Sequence, residues 1–158
     1  MVKILFVCTG NICRSPLAEG ILRNKLQQKN ILAEVDSCGF ESFHVGDPPD
    51  SRAQAVARIR GIDISSHRAR LFTMKDFERY DYIYAMDSSH YNHIMSMTRN
   101  ETDQSKVDYI LNMVSPGQNR GVKDPWYYDI EAFEKVYMIL DEACDHIISM
   151  LAPKSPEI

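Results

Sequence analysis

Cys8 and Arg14 lie in "VCTGNICRSP", residues 7–16, directly after the apolar run Val2-Lys3-Ile4-Leu5-Phe6. Cysteine attacks as its thiolate, and the amino end of a helix favours that anion through its dipole and unpaired N–H groups. Between the two residues, Gly10 and Asn11 tolerate left-handed backbone. They let the loop Thr9-Gly10-Asn11-Ile12-Cys13 turn successive N–H groups inward as an anion nest. Arg14 adds a planar fork matching two oxygens of a phosphate. A nucleophile, an oxyanion cradle and a guanidinium then meet on one tetrahedral dianion, which is the chemistry of phosphoryl transfer. Taken alone, a cysteine at the end of a buried strand is most often a small hydrophobe. The preceding strand, the Gly-Asn pair and the following Ser15-Pro16 helix start lift the loop above that reading.

A phosphate ester also needs a proton for its leaving alcohol, and a carboxylic acid on a separate loop can supply it. "DPWYYD" offers Asp124 and Asp129. Pro125 restricts Asp124 to extended backbone on a loop, whereas Asp129 is placed to cap the last helix. Asp124 is therefore the candidate acid. Trp126 and Tyr127 could wall a slot for a flat ring, while Tyr128 is expected to plug the end of that helix. The glycine-lysine ending of a Walker loop and the Gly-x-Gly-x-x-Gly of a dinucleotide site are both missing, so no cofactor is expected. His90 and His93 are spaced like metal ligands, but no third ligand accompanies them, so no metal is expected.

Elements that alternate between strand-like and helix-like must position these groups. Val2–Val7, 33–36, 81–86 and 107–111 read as strands, with a weaker strand at 70–72. Helices are expected at 15–29, with Ser15 as cap and Pro16 in first position, and at 51–60, ending at Gly61. A further helix is expected at 89–98. The closing helix, 130–150, keeps Phe133, Val136, Tyr137, Leu140, Cys144 and Ile147 on one face. The expected fold is α/β: one domain over residues 1–158, with a central parallel sheet of about four strands and helices on both faces. The phosphate-binding loop follows strand 1, at the carboxyl edge where such sheets bind ligands. Residues 152–158 read as a loose tail.

Composition sets the outer limits. A chain of 158 residues, 44% apolar, suffices for one core, and a net charge of −4 gives nucleic acid no general foothold. Five arginines between Asp50 and Arg70, and seven acids between Asp124 and Asp145, read first as solvated helix faces. No apolar run is long enough for a membrane span, and Val2–Val7 is too short for a signal peptide. Four scattered cysteines fit a reducing compartment, so a cytoplasmic setting is expected.

The sequence resembles the low molecular weight protein tyrosine phosphatases. "VCTGNICRSP" matches that family's signature, and agreement continues through "HVGDPPDSRAQAV", "GIDISSHRAR", "DYIYAMD" and "DPWYYD". The resemblance implies hydrolysis of phosphotyrosine and other aryl phosphate monoesters in protein substrates, without metal. Cys8 would form a phosphocysteine intermediate, Arg14 and the amides of residues 9–13 would hold the phosphoryl oxygens, and Asp124 would be acid and then base. It also implies that Ser15, Ser37 and His67 support Asn11, and that Phe43 and Trp126 form an aromatic wall. Trp126 stands where the family usually has tyrosine, and Phe43 where it often has tryptophan or tyrosine. An arsenate reductase of the same fold is disfavoured because no cysteine lies between Cys38 and Cys144. Ile12 and Trp126-Tyr127 disfavour an arginine phosphatase. Cys8 together with Asp124 disfavours a module that only binds phosphotyrosine. Cys13 is near enough to trap an oxidised Cys8 as a disulfide.

Overall fold

The computed structural model describes residues 1–153. The first strand, β1 (Val2–Val7), is buried on both sides because its apolar residues point alternately to opposite faces. Ile4 and Phe6 enter one core, and Leu5 and Val7 enter the other. The chain continues into α1 (Arg14–Gln28), β2 (Ala33–Cys38) and α2 (Ser51–Ile59). There follow α3 (Asp76–Arg79), β3 (Tyr82–Ala85), α4 (Ser88–Met97), α5 (Glu101–Ser105) and β4 (Val107–Tyr109). The last element is α6 (Ile130–Leu151).

All four strands are parallel, in the order β2-β1-β3-β4. From β1 the chain steps outward to β2 and then returns to the other side as β3. The carboxyl ends of β1 and β3 therefore flank the switch point, where such sheets leave a crevice. The larger core joins the Ile4–Phe6 face to Leu17, Ile21, Phe133, Leu140 and Ile147 of α1 and α6. The smaller joins Leu5, Val7 and Ile83 to Ile94 of α4 and to Phe72 and Phe77. The α/β architecture with both faces covered is thus the one expected.

Local differences have physical causes. Helix α1 starts at Arg14 with Cys13 in the capping position, so Ser15 does not cap it; the Ser15 hydroxyl is spent on the loop. Strand β2 runs to Cys38, two residues past its expected end, because Ser37 and Cys38 still pair with Phe6 and Val7. The expected strand at 70–72 is one bridge, Gly39 to Leu71. After Tyr109 the expected strand turns into a 3₁₀ segment, Ile110–Met113. Asp129 occupies the capping position of α6 without a side-chain capping bond. Gly61 ends α2 with φ 76°, the left-handed geometry that favours glycine. The tail expected at 152–158 lies, from residue 154 onward, outside the described residues.

Several arginines expected on solvated faces are structural ties instead. Arg60 pairs with Glu134 of α6, and Arg70 pairs with Asp36 and the buried Asp76. Across the same core, Lys25 of α1 reaches Asp141 and Asp145 of α6. Among the described residues, no helix is long and apolar enough to cross a membrane.

Candidate active site

Residues 8–13 wrap the space beyond the carboxyl end of β1. Two of their carbonyls are tied to neighbouring segments: Thr9 O accepts from Phe40 N and Glu41 N, and Ile12 O accepts from Asp50 N at 2.8 Å. The N–H groups of Thr9 to Cys13 find no acceptor among the described residues. Successive free N–H groups of this kind can bind an anion.

Asn11 holds the bend. Its φ of 56° is left-handed, a conformation costing an ordinary residue about 1–3 kcal/mol unless its surroundings impose it. Here its amide donates to Ser15 Oγ (2.8 Å) and Ser37 Oγ (2.9 Å), while its oxygen faces His67 Nε2 (2.9 Å) and accepts from Arg70 N (3.1 Å). Ser15, Ser37 and His67 thus stand where the resemblance places them. Behind them, Ser37 donates to buried Glu19, which pairs with Arg23 and lies 3.4 Å from His67 Nδ1. Burial lowers the His67 pKa against the upward pull of Glu19. Gly39 passes so close that a Cβ there would sit 2.6 Å from Thr9 O and 2.9 Å from Asn11 N.

Cys8 Sγ lies 2.9 Å from Ser15 Oγ at the base of the loop. A hydroxyl that already accepts from Asn11 can turn its own proton toward sulfur and stabilise a thiolate. Arg14 is 2% exposed, and its Nη1 donates to Asp87 Oδ2 (2.9 Å) and Val122 O (2.8 Å). Its Nη2 lies 3.6 Å from Asp124 Oδ2, and its Nε has no partner among the described residues. The fork is anchored at Nη1 and held more loosely at Nη2, which also lies 3.4 Å from Thr9 Oγ1. Asp87, at the end of β3, also caps α4 by accepting from Ser89 N and His90 N. Burial opposes its charge, but hydrogen bonds from Ser89 and Arg14 outweigh that and hold its pKa at about 2.

The cavity is ≈ 240 Å³ and is lined by Cys8, Thr9, Gly10, Ile12, Cys13, Arg14, Glu41, His44, Asp124, Trp126 and Tyr127. Asp124 is half-buried beside Arg14, with Oδ1 accepting from Trp126 N at 3.1 Å. Arg52 fastens the acid's loop: its guanidinium donates to Trp126 O and Tyr128 O, pairs with Asp50 and stacks over Phe133. Phe43 lies apart from the other candidates. It is 83% exposed and outside the cavity, turned edge-on to His44, which takes the wall position with its ring 5.6 Å from Trp126. Asn11 shapes the loop from behind and does not line the cavity. Tyr128 does not plug α6; it stays half-exposed under Lys123.

Among the described residues, one trio, Glu19, Asp36 and His67, brings ligand-type atoms within 4.8 Å of one another, but Arg23 and Arg70 already pair with its carboxylates. His90 and His93 diverge. His90 turns to Thr9, whereas His93 stacks on Phe40 with ring centroids 3.8 Å apart.

A family model described as "Low molecular weight phosphotyrosine protein phosphatase" matches residues 3–156. A Schizosaccharomyces pombe protein of that name is 36% identical, covering 96% of this chain and 97% of its own. A protein tyrosine phosphatase structure from Entamoeba histolytica, with Hepes in its active site, superposes with TM-score 0.88 at 34% identity, over 96% and 97% of the two chains. The low molecular weight protein tyrosine phosphatase of T. tengcongensis gives 0.87 at 35% identity, over 96% and 100%. Loop, arginine and acid close on one cavity in a chain that matches these relatives over 96% of its length, and the chain therefore belongs to the low molecular weight phosphotyrosine protein phosphatase family.

Proposed function

We propose that the chain hydrolyses phosphotyrosine in protein substrates through a phosphocysteine intermediate, without metal. The observation that carries this reading is the convergence of Cys8, Arg14 and Asp124 on a single cavity, beside a loop whose residues 9–13 leave their N–H groups unpaired among the described residues. Cys8 Sγ attacks phosphorus, the S–P bond forms as the P–O bond breaks, and the Asp124 carboxyl gives its proton to the departing phenolate. Asp124, now a carboxylate, takes a proton from water as that water attacks phosphorus, which frees inorganic phosphate and the thiolate. Arg14 Nε and Nη2 with the loop amides bind the equatorial oxygens, whose charge builds in the transition state. Trp126, Tyr127 and His44 flank the aryl ring, and the ring's depth is what selects tyrosine. The test compares phosphate release from a phosphotyrosine peptide and its phosphoserine counterpart, with a metal chelator present. Turnover of the tyrosine peptide alone, indifferent to the chelator, is expected; equal turnover of both, or loss to the chelator, would overturn the reading.

Reversible oxidation belongs to the same proposal. Peroxide would convert the Cys8 thiolate to a sulfenic acid, and the Cys13 thiol would attack that sulfur and expel water, forming a disulfide. Both cysteines line the cavity, and burial, then the charges of Cys8, Asp50 and Asp124, push the Cys13 pKa up. A high-pKa thiol is a poor first target for peroxide, which leaves Cys13 intact to resolve an oxidised Cys8. After a peroxide pulse and thiol reductant, Cys13→Ser is expected to regain less activity than wild type; equal recovery removes the protective role. All four cysteines are free and buried, which supports a reducing, cytoplasmic setting.

A further inference from the structure

His90 is 3% exposed, lies outside the sequence-derived site and has a ring nitrogen, Nδ1, without a hydrogen-bond partner among the described residues. Such a nitrogen costs free energy, so the position is held by what the rest of the ring does. Its Nε2 lies 2.8 Å from Thr9 Oγ1, and Nδ1 faces Asp87 Oδ1 at 3.2 Å. Thr9 Oγ1 in turn accepts from Arg14 Nη2 (3.4 Å), and Arg14 Nη1 donates to Asp87 Oδ2 (2.9 Å). Arg14 therefore meets Asp87 directly through Nη1, while Nη2 leads through Thr9 and His90 to a 3.2 Å contact with Asp87 Oδ1 that lacks hydrogen-bond geometry.

We infer that His90 is a positioning residue for the phosphoryl-binding guanidinium, closing a polar ring that fixes both tips of Arg14 through Thr9. The groups facing it are Asp87 and His93 from its own helix, Arg14 and Thr9 from the loop, and Asp124 from the acid's loop. Burial, against the pull of Asp87, holds His90 neutral at ordinary pH, with a pKa of about 4. The single ring proton then belongs on Nδ1, toward the Asp87 carboxylate. Nε2 accepts from the Thr9 hydroxyl, and the Thr9 lone pairs are left facing Arg14. Without the ring, the Nη2 tip keeps only the longer Asp124 contact at 3.6 Å.

The inference rests on the phosphatase reading, so its test includes binding of inorganic phosphate measured by calorimetry, which needs no turnover. His90→Gln places an amide near the position of Nε2, whereas the amide of His90→Asn stops near Nδ1 and cannot reach Thr9. His90→Asn is expected to weaken phosphate binding roughly tenfold, the scale of one hydrogen bond to a charged group. It should lower kcat/KM by a similar factor for p-nitrophenyl phosphate and phenyl phosphate alike, since a clamp on phosphate does not sense the leaving group. His90→Gln is expected to recover most of the loss. Thr9→Val should reproduce it, and Thr9→Val with His90→Asn should be no weaker than the weaker single variant. Unchanged phosphate binding in His90→Asn, multiplying losses in the double variant, or no recovery with glutamine would each overturn the ring. Wild-type protein that binds phosphate but releases none from phosphotyrosine would instead overturn the proposed function.

Discussion

Cys8→Ser is expected to abolish phosphate release while the protein still binds inorganic phosphate. The cradle does not depend on the sulfur: the five free N–H groups belong to residues 9–13, and Arg14 is anchored by Asp87 and Val122. The nucleophile does depend on it. A serine hydroxyl beside Ser15 Oγ meets a second hydroxyl and no general base, and its oxygen is a far weaker nucleophile than sulfur. The loss should be about 10⁴–10⁶-fold in kcat, the range over which removing a covalent nucleophile acts. The check is a stopped assay for phosphate release beside a calorimetric titration with phosphate. Residual turnover within tenfold of wild type would move the nucleophile elsewhere. Loss of both turnover and phosphate binding would mean that Cys8 holds the loop's shape, and the covalent step would lose its support.

Much of this molecule was legible because the informative residues are close in sequence. The cradle is one run from Cys8 to Arg14 between a strand and a helix. The long amphipathic period of α6 and the apolar run of β1 set their own boundaries within a residue or two. Legibility fell where a residue's task is decided across the fold. Ser15 was expected to cap a helix, but its hydroxyl is claimed by Cys8 and Asn11, which tertiary folding brings over it. The four- and five-residue helices α3 and α5 lack enough turns to show a period.

In sequence His90 offers only metal-ligand spacing, since its partner Thr9 is 81 residues away and no local pattern joins them. Asp87 pairs with Arg14 at the edge of the site and also caps α4, two tasks that meet only in the folded chain. Glycine spacing alone could not flag Gly39, whose value lies in the approach of Thr9 and Asn11. Phe43 and His44 are neighbours on one 3₁₀ turn, and only the direction of that turn decides which ring meets the cavity.

Asp124→Ala is expected to lower turnover of phenyl phosphate about 10²–10⁴-fold, the range for losing a general acid. The loss should be far smaller for p-nitrophenyl phosphate, whose stable phenolate departs with less need of a proton. That contrast separates an acid from a group that merely binds, because a weakened clamp would slow both substrates equally, as expected for His90. The structure explains why the task falls to this carboxyl. Asp124 lines the cavity with one oxygen toward Arg14, while Asp129 lies outside it, at the start of α6. Its loop cannot drift, since Arg52 holds the carbonyls of Trp126 and Tyr128 and Asp50 N donates to Ile12 O, so one short segment spans acid and phosphate loop. Because Asp124 acts on the leaving oxygen and the loop amides with Arg14 hold the phosphoryl group, kcat should drop with a much smaller change in KM, and a plot of log kcat against the leaving phenol's pKa should steepen from wild type to variant. Equal losses on both substrates, with no change of slope, would place the proton donor elsewhere and reduce Asp124 to a partner of Arg14.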